Sequence, residues 1–333
     1  MPRLGMRPLR MTPADEDLYV QRSHDLAQIE AGLSYGFNVI VLGERGGGKT
    51  TLLNVFERRV MEEELASFGI VLVSGGAMSS ATETLDGIAR ALDPSGTRVA
   101  RAQAQVLSSP ASDPLIAAYE RLAYVVSGLR ESKPIMLLDH LSAPLCWELF
   151  GRLRDEMWTL DLRWVLAGDL DDQAHLLAPP ADAFFEHTIY LTPFDRQEIV
   201  ELLTRRDHDG QIDDDVRRLI AERCEGNPSR ALALARRAVL AEDSLAAVLR
   251  GTVVEQIERE LGRPAARLAD DLARNGPAGP SDPDLLRRLG WSRPRAYQVF
   301  EQLERAGHVE ISAERTGQPG RPRNTYRLRE ERA

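Results

Sequence analysis

Residues 43–50 read Gly-Glu-Arg-Gly-Gly-Gly-Lys-Thr and satisfy the spacing G-x-x-x-x-G-K-[ST] in full. Gly43, Gly46, Gly47 and Gly48 let successive backbone N–H groups curl around anionic oxygens. A helix starting just after them adds the partial positive charge of its N-terminus. Lys49 supplies an ammonium able to reach the outer phosphates of a nucleotide, and the Thr50 hydroxyl suits a Mg²⁺ ion. Glu44, Arg45 and Thr51 complete the candidate loop. Of 42 basic residues only Lys49 and Lys133 are lysines, so a compact ammonium stands at position 49 in a chain that otherwise uses guanidinium. A second candidate is Asp139, which ends the apolar run Ile135 to Leu138. An apolar strand that delivers a carboxylate beside a phosphate loop would complete the Mg²⁺ site with Thr50. This chemistry predicts ATP or ADP with Mg²⁺ as ligands.

Elements of the right kind surround these residues. Asn38 to Leu42 is a β-branched run, read as a strand buried on both faces, and a helix is predicted from Lys49 to Ser67. Further strands are predicted at 68–73, 135–138, 163–167 and 188–191, alternating with helices at 82–92, 114–130 and 145–160. Such alternation implies a parallel, doubly wound α/β sheet of five strands. The stretch 93–112 is rich in Ser, Pro, Gly and Ala and reads as a loop or partly ordered insertion. The first 17 residues, bearing Pro and Arg, read as a flexible arm. After Pro193 only helical patterns follow, through 245–272. The segment 275–283, with three prolines and two glycines, reads as a linker or turn. The expected division is therefore 1–191, 192–275 and 276–333.

Net charge is −9, yet residues 276–333 hold 11 Arg against 8 Asp plus Glu. An acidic chain with a basic end suits a selective DNA binder. No apolar run approaches the ~20 residues needed to span a bilayer. No signal-peptide layout opens the chain, so a cytoplasmic protein with no membrane partner is expected. Cys146 and Cys224 show no metal or CxxC spacing and read as buried small hydrophobes in a reducing compartment.

These motifs resemble the AAA+ ATPases, nearest to their origin-recognition-like branch, and the related STAND signalling ATPases. In Asp17 to Ile29, residues Leu18, Tyr19, Val20 and Arg22 match a box that packs near the adenine in that branch. The phosphate loop and IMLLDH follow. VLAGDLDD (165–172) takes the sensor-1 position, with Asp169 as the polar residue. GNPSRALALA (226–235) resembles the sensor-2 motif of a helical lid, which implies that Arg230 touches the γ-phosphate. The C-terminal 47 or so residues resemble a winged helix-turn-helix, with Ser292 as helix cap and Tyr297, Phe300 and Leu303 packed inward. That resemblance leaves Arg293, Arg295, Gln298 and Gln302 for a DNA groove and puts Arg321 and Arg323 on the wing, where arginine suits a narrow minor groove.

Three features depart from the AAA+ pattern. His140 stands where active members carry the Glu that activates water; an imidazole can serve as a general base. The segment where an arginine finger is usual reads ADAFFEH (181–187), without Arg. Sensor 1 is Asp rather than Asn. Binding elements are intact while turnover elements are altered. The expectation is an ATP- and DNA-binding switch with slow or partner-dependent hydrolysis, in replication, repair, transposition or mobile-element control. His140, Asp169 and Arg230 are its candidate catalytic residues. The alternative is a STAND-like signalling ATPase, a transcription regulator or defence component whose winged helix meets a protein. Expected partners are double-stranded DNA and either a nucleotide-dependent homo-oligomer or a protein supplying the missing finger.

Overall fold

The computed structural model describes residues 4–10, 12–62, 70–74, 78–106, 113–129, 133–241, 244–314 and 323–329; at 70–74, 105–106, 244–247, 249–250, 313–314 and 323 it describes the backbone alone. Its elements fall into two compact units: residues 1–208 with 226–230, and residues 209–225 with 231–333.

In the first unit, α1 (Pro13–Glu16) and α2 (Ser23–Ser34) precede β1 (Val39–Gly43) and α3 (Lys49–Glu62). β2 (Ile70–Ser74), α4 (Ala81–Leu92), α5 (Thr97–Val106) and α6 (Pro114–Ser127) lead to β3 (Ile135–Asp139). α7 (Ala143–Trp147) runs through a π turn at Glu148–Arg152 into α8 (Arg154–Thr159), then β4 (Arg163–Asp169), α9 (Gln173–Leu176), β5 (His187–Tyr190) and α10 (Arg196–Arg206). The strands form one sheet in the order β2-β3-β4-β1-β5, every pair parallel.

The sheet is built from period-2 alternation. Ile40, Leu42, Met136, Leu138, Trp164 and Leu166 face one core with α4 and α6. Val39, Val41, Ile135, Leu137, Val165 and Ala167 face the other, with Leu52, Leu53 and Phe56 of α3. Both faces are covered, so the strands read as unbroken apolar runs. Each fully buried Leu, Ile or Val contributes about 1.5–3 kcal/mol. Because β4 lies between β1 and β3, its last residue is placed between theirs. Gly43 pairs with Asp169, and Asp139 pairs with Ala167.

Several local expectations are corrected. Residues 97–106 are helical, not a loop. Asp93 nucleates that turn by accepting from the N–H groups of Arg98 and Val99 at 2.7 and 2.9 Å. The helix expected at 145–160 is broken by the π turn. The N-terminal arm is packed over its described part. Leu4 and Leu9 are buried, and Asp15, fully buried, accepts from Arg7 at 2.6 Å and from the Arg10 N–H at 3.0 Å. The finger segment is aromatic core: Phe184 and Phe185 pack on Phe150, with ring centroids 4.7 and 5.1 Å away. Cys146 and Cys224 are buried free thiols, and burial pushes the Cys146 thiol up to about 12.

α11 (Asp214–Arg223) belongs to the second unit, as does α12 (Pro228–Val239) beyond its first turn. The helical stretch expected at 245–272 comprises α13 (Ser244–Leu261) and α14 (Arg263–Asn275), separated where Gly262 adopts a φ of +83° ahead of Pro264. α15 (Pro283–Leu289), α16 (Arg293–Arg305) and the antiparallel pair β6 (Val309–Glu314) and β7 (Arg323–Leu328) complete the unit. One core joins Val254 and Ile257, the inner face of α14, Leu285, Leu289, Phe300, Leu303 and Tyr326. Ala278 bridges Tyr326, so the Pro/Gly segment is stitched to the hairpin. α16 buries Ala296, Val299, Phe300 and Leu303, an i, i+3, i+4, i+7 stripe. Tyr297 lies one residue off that stripe and is 55% exposed, contrary to expectation. Ser292 holds the N-cap position without a side-chain bond. Among the described residues no helix is long and apolar enough to cross a membrane.

Candidate nucleotide-binding site

The carboxyl ends of β1, β3 and β4 bring the candidate residues together in the first unit. Gly46 and Gly48 take φ values of +81° and +99°, a region closed to most side chains. A Cβ on Gly46 would stand 2.7 Å from the Ser229 Cβ, so glycine there also serves a close approach. The N–H of Gly47 turns inward to the Glu44 carbonyl at 3.0 Å. The first-turn N–H groups of α3 have no intrahelical acceptors, and with the glycine backbone they form a cradle for an anion.

Lys49 lies along this cradle, its side chain 10% exposed. Its ammonium donates to the carbonyls of Gly43 and Glu44 at 2.8 and 2.9 Å and to Asp169 Oδ1 at 2.6 Å. Those three acceptors match its three protons. Asp139 is buried at the end of β3, and His140 Nδ1 lies 2.9 Å from its Oδ2. His140 has a φ of +58°, unusual for a residue with a β-carbon, and its side chain stays 62% exposed. Thr50 is half-buried at the second position of α3. Among the described residues no group of three or more His, Cys, Asp or Glu converges to hold a metal. A hydroxyl and a carboxylate with few other ligands fit Mg²⁺, which keeps waters and takes phosphate oxygens to fill its shell.

Residues 226–230 reach this loop. The Asn227 amide, 3% exposed, donates to Glu44 Oε2 at 3.3 Å and to the Arg45 carbonyl at 3.0 Å. Its oxygen accepts from the N–H groups of Ser229 and Arg230 at 3.1 and 3.2 Å, capping α12. The Ser229 N–H also reaches the Gly46 carbonyl at 3.3 Å. Arg230 Nη2 lies 3.6 Å from Glu44 Oε2. Gly226 makes the turn into this segment with a φ of +71°; a Cβ there would stand 2.4 Å from the Phe194 carbonyl oxygen.

The N-terminal box divides. Arg22 is 7% exposed and braces the loop's back. It donates to the Gly47 carbonyl at 3.1 Å, the Thr192 carbonyl at 2.8 Å and Asp25 at 3.1 Å, and lies 4.0 Å over the Phe194 ring. Leu18 and Val20 are buried. Tyr19 lines a cleft of about 330 Å³ with Glu16, Leu26, Val55 and Arg58. Burial raises its phenol above the ordinary value. Thr51 accepts from the Leu9 N–H at 3.3 Å and so anchors the arm to α3.

Sequence reasoning missed Asn227, Asp25 and Phe194. Asn227 had a signal: an Asn just before Pro-Ser-Arg is a helix-start pattern. Asp25 and Phe194 had none, since only the fold carries them to Arg22.

In the second unit, Arg293, Arg295, Gln298 and Gln302 are exposed on α16, and Arg295 donates to Gln298 at 3.3 Å. Arg323 pairs with Glu314 in the backbone register of the hairpin. Arg321 lies outside the described residues.

No family model and no curated protein match the chain. Solved structures do. The ORC1 protein of Aeropyrum pernix, solved in complex with DNA, is 19% identical over 96% of this chain and 92% of its own, with a TM-score of 0.52. Cdc6p of Pyrobaculum aerophilum is 16% identical over 94% and 93%, with a TM-score of 0.50. A Walker-type ATPase of Pyrococcus abyssi is 20% identical over 98% and 97%, with a TM-score of 0.51. At these identities the likeness concerns the fold, an α/β fold with a parallel sheet that the chain shares with these structures.

Proposed function

We propose that this protein is an ATP-binding, DNA-binding AAA+ switch that hydrolyses ATP slowly or only with a partner, and that acts in DNA transactions. The observation that carries the reading is the meeting of Lys49, Asp169, Glu44 and Arg230 around one glycine cradle. ATP or ADP would be held by the loop N–H groups and Lys49, with Thr50 and Asp139 holding Mg²⁺. The ion would supply charge neutralisation at the phosphates. Arg230 sits at the start of α12, so a bound γ-phosphate would bear directly on that helix. Slow turnover follows from His140. Its Nδ1 is engaged with Asp139, and an imidazole lacks the charge of a glutamate.

DNA binding rests on a winged helix-turn-helix formed by α15, α16 and the β6–β7 hairpin. Arg293, Arg295 and Gln298 would meet the groove, and Arg321 and Arg323 the minor groove. The ORC1 protein of similar fold was solved in complex with DNA, which supports this assignment by likeness of fold. The test combines nucleotide binding, steady-state ATPase and duplex binding by anisotropy, with Lys49→Ala and His140→Ala alongside. Lys49-dependent nucleotide binding with turnover below about 1 s⁻¹, the low end of ordinary enzymes, is the expected result. Faster turnover that disappears in His140→Ala would refute the slow switch.

A further inference from the structure

We infer that Asn227 is a positioning residue that sets Arg230 for the third phosphate, making the site's preference for nucleoside triphosphate over diphosphate depend on a buried amide. The inference rests on the proposed nucleotide site and adds to it the residue that governs its selectivity.

A primary amide has two N–H protons to donate and an oxygen with two lone pairs. Asn227 uses all four, split between two segments of chain. Both protons go to the phosphate loop, at Glu44 Oε2 and the Arg45 carbonyl. Both lone pairs go to the first turn of α12, at the N–H groups of Ser229 and Arg230. The side chain is nearly sealed from water, so these bonds face little competition, and an unmade one costs its full desolvation.

The amide thus joins residues more than 180 positions apart into one rigid piece, with the Arg230 backbone held directly. The Arg230 guanidinium lies near the loop carboxylate Glu44, within salt-bridge distance. Without the amide's two donors, the loop and the first turn of α12 lose two hydrogen bonds that join them, while the contact from the Ser229 N–H to the Gly46 carbonyl at 3.3 Å and the Arg230–Glu44 pair remain. Arginine recognition of phosphate depends on a planar fork held in register, so a loosened α12 start removes affinity for the outer phosphate first. The inner phosphates are held by backbone N–H groups of the loop and of the first turn of α3, and none of the four Asn227 hydrogen bonds uses those groups.

The cap and the bridge can be separated. Ser and Asp both cap helices well, so Asn227→Ser and Asn227→Asp keep the acceptor for Ser229 and Arg230. Asn227→Ser is too short to donate to the loop. Asn227→Asp turns the donor into a second carboxylate facing Glu44 and the Arg45 carbonyl, and Glu44→Gln in the same chain restores a donor–acceptor pair. The measurement is the Kd of fluorescent ADP and of a fluorescent non-hydrolysable ATP analogue, with Mg²⁺, on the full chain, beside Arg230→Ala and Lys49→Ala.

Asn227→Ser and Asn227→Asp are expected to weaken the triphosphate about tenfold or more, the scale of one charge-assisted bond, with the diphosphate within about threefold. Arg230→Ala should match that pattern, and Asn227→Asp/Glu44→Gln should recover part of the loss, because the bond to the Arg45 carbonyl stays unmade. Equal weakening of both nucleotides, or unchanged selectivity, overturns the inference while leaving the nucleotide site standing if Lys49→Ala still abolishes binding. Wild-type protein that binds neither nucleotide through Lys49 overturns both.

Discussion

Arg22 offers the sharpest test of how the site is held. Replacing it with alanine removes three charge-assisted hydrogen bonds, to the carbonyls of Gly47 and Thr192 and to Asp25, and the cation over the Phe194 ring. It also leaves Asp25, 5% exposed, without its guanidinium. Removing one member of a buried ion pair typically costs about 3–5 kcal/mol, mostly from the charge left behind. Asp25 lies in the first turn of α2, where the helix N-terminus offsets about 0.3–1 kcal/mol. The expected loss is therefore about 3 kcal/mol in the sheet-bearing unit. Urea unfolding followed by tryptophan fluorescence reads that unit directly once Trp291 is changed to Phe, because Trp147, Trp158 and Trp164 all belong to it. Since much of the loss is an orphaned carboxylate, adding Asp25→Ala to Arg22→Ala should return about 1–2 kcal/mol. A loss under about 1 kcal/mol, or no recovery in the double variant, would refute the buried-brace reasoning.

Three further outcomes are expected. Gly46→Ala forces a β-carbon into a left-handed conformation and within 2.7 Å of Ser229; it should cost about 1–2 kcal/mol and weaken nucleotide binding at least about tenfold by titration. Asp15 is held below the ordinary carboxylate value of 3.8, first by its hydrogen bond to Arg7. A depressed folded pKa adds stability that is present above 3.8 and lost as pH falls through the lower folded value. The melting temperature of wild type should thus fall more steeply below pH 4 than that of Asp15→Asn, and parallel curves would remove Asp15 as the arm's anchor. Arg293→Ala with Arg295→Ala should weaken duplex binding and reduce the slope of log affinity against log salt by up to about 1.8, ~0.9 for each of the two cations that also neutralises a phosphate beside the groove; unchanged affinity and slope would point to a protein-contact role for α16.

Much of the first unit is legible in one dimension because its determinants are local. A phosphate loop is a run of eight residues whose types dictate backbone conformation, and strands covered on both faces announce themselves as short apolar runs. The same locality explains the failures. Residues 97–106 look like a loop by composition, but Asp93 supplies the first-turn acceptor that their own types lack. Tyr297 looks like core by residue type, yet the 3.6-residue period assigns the inner face to Ala296, Val299, Phe300 and Leu303. ADAFFEH looks like a finger segment without its arginine, whereas its two phenylalanines fill the core beside Phe150 and Trp164.

The amino-acid order alone determined that a glycine cradle would follow a buried strand and open a helix, that one lysine would stand in it, and that an acidic strand end would lie downstream. These are properties of neighbours along the chain. Tertiary structure alone decided who meets whom. β4 runs between β1 and β3, and only that strand order brings Asp169 to Lys49. Gly226 turns the chain tightly against Phe194, and only that turn sets Asn227 to Arg230 against Glu44 and Gly46. Hydrogen bonds between residues 120 to 183 positions apart leave no periodic trace in a sequence, because their partners are chosen by the fold that carries them.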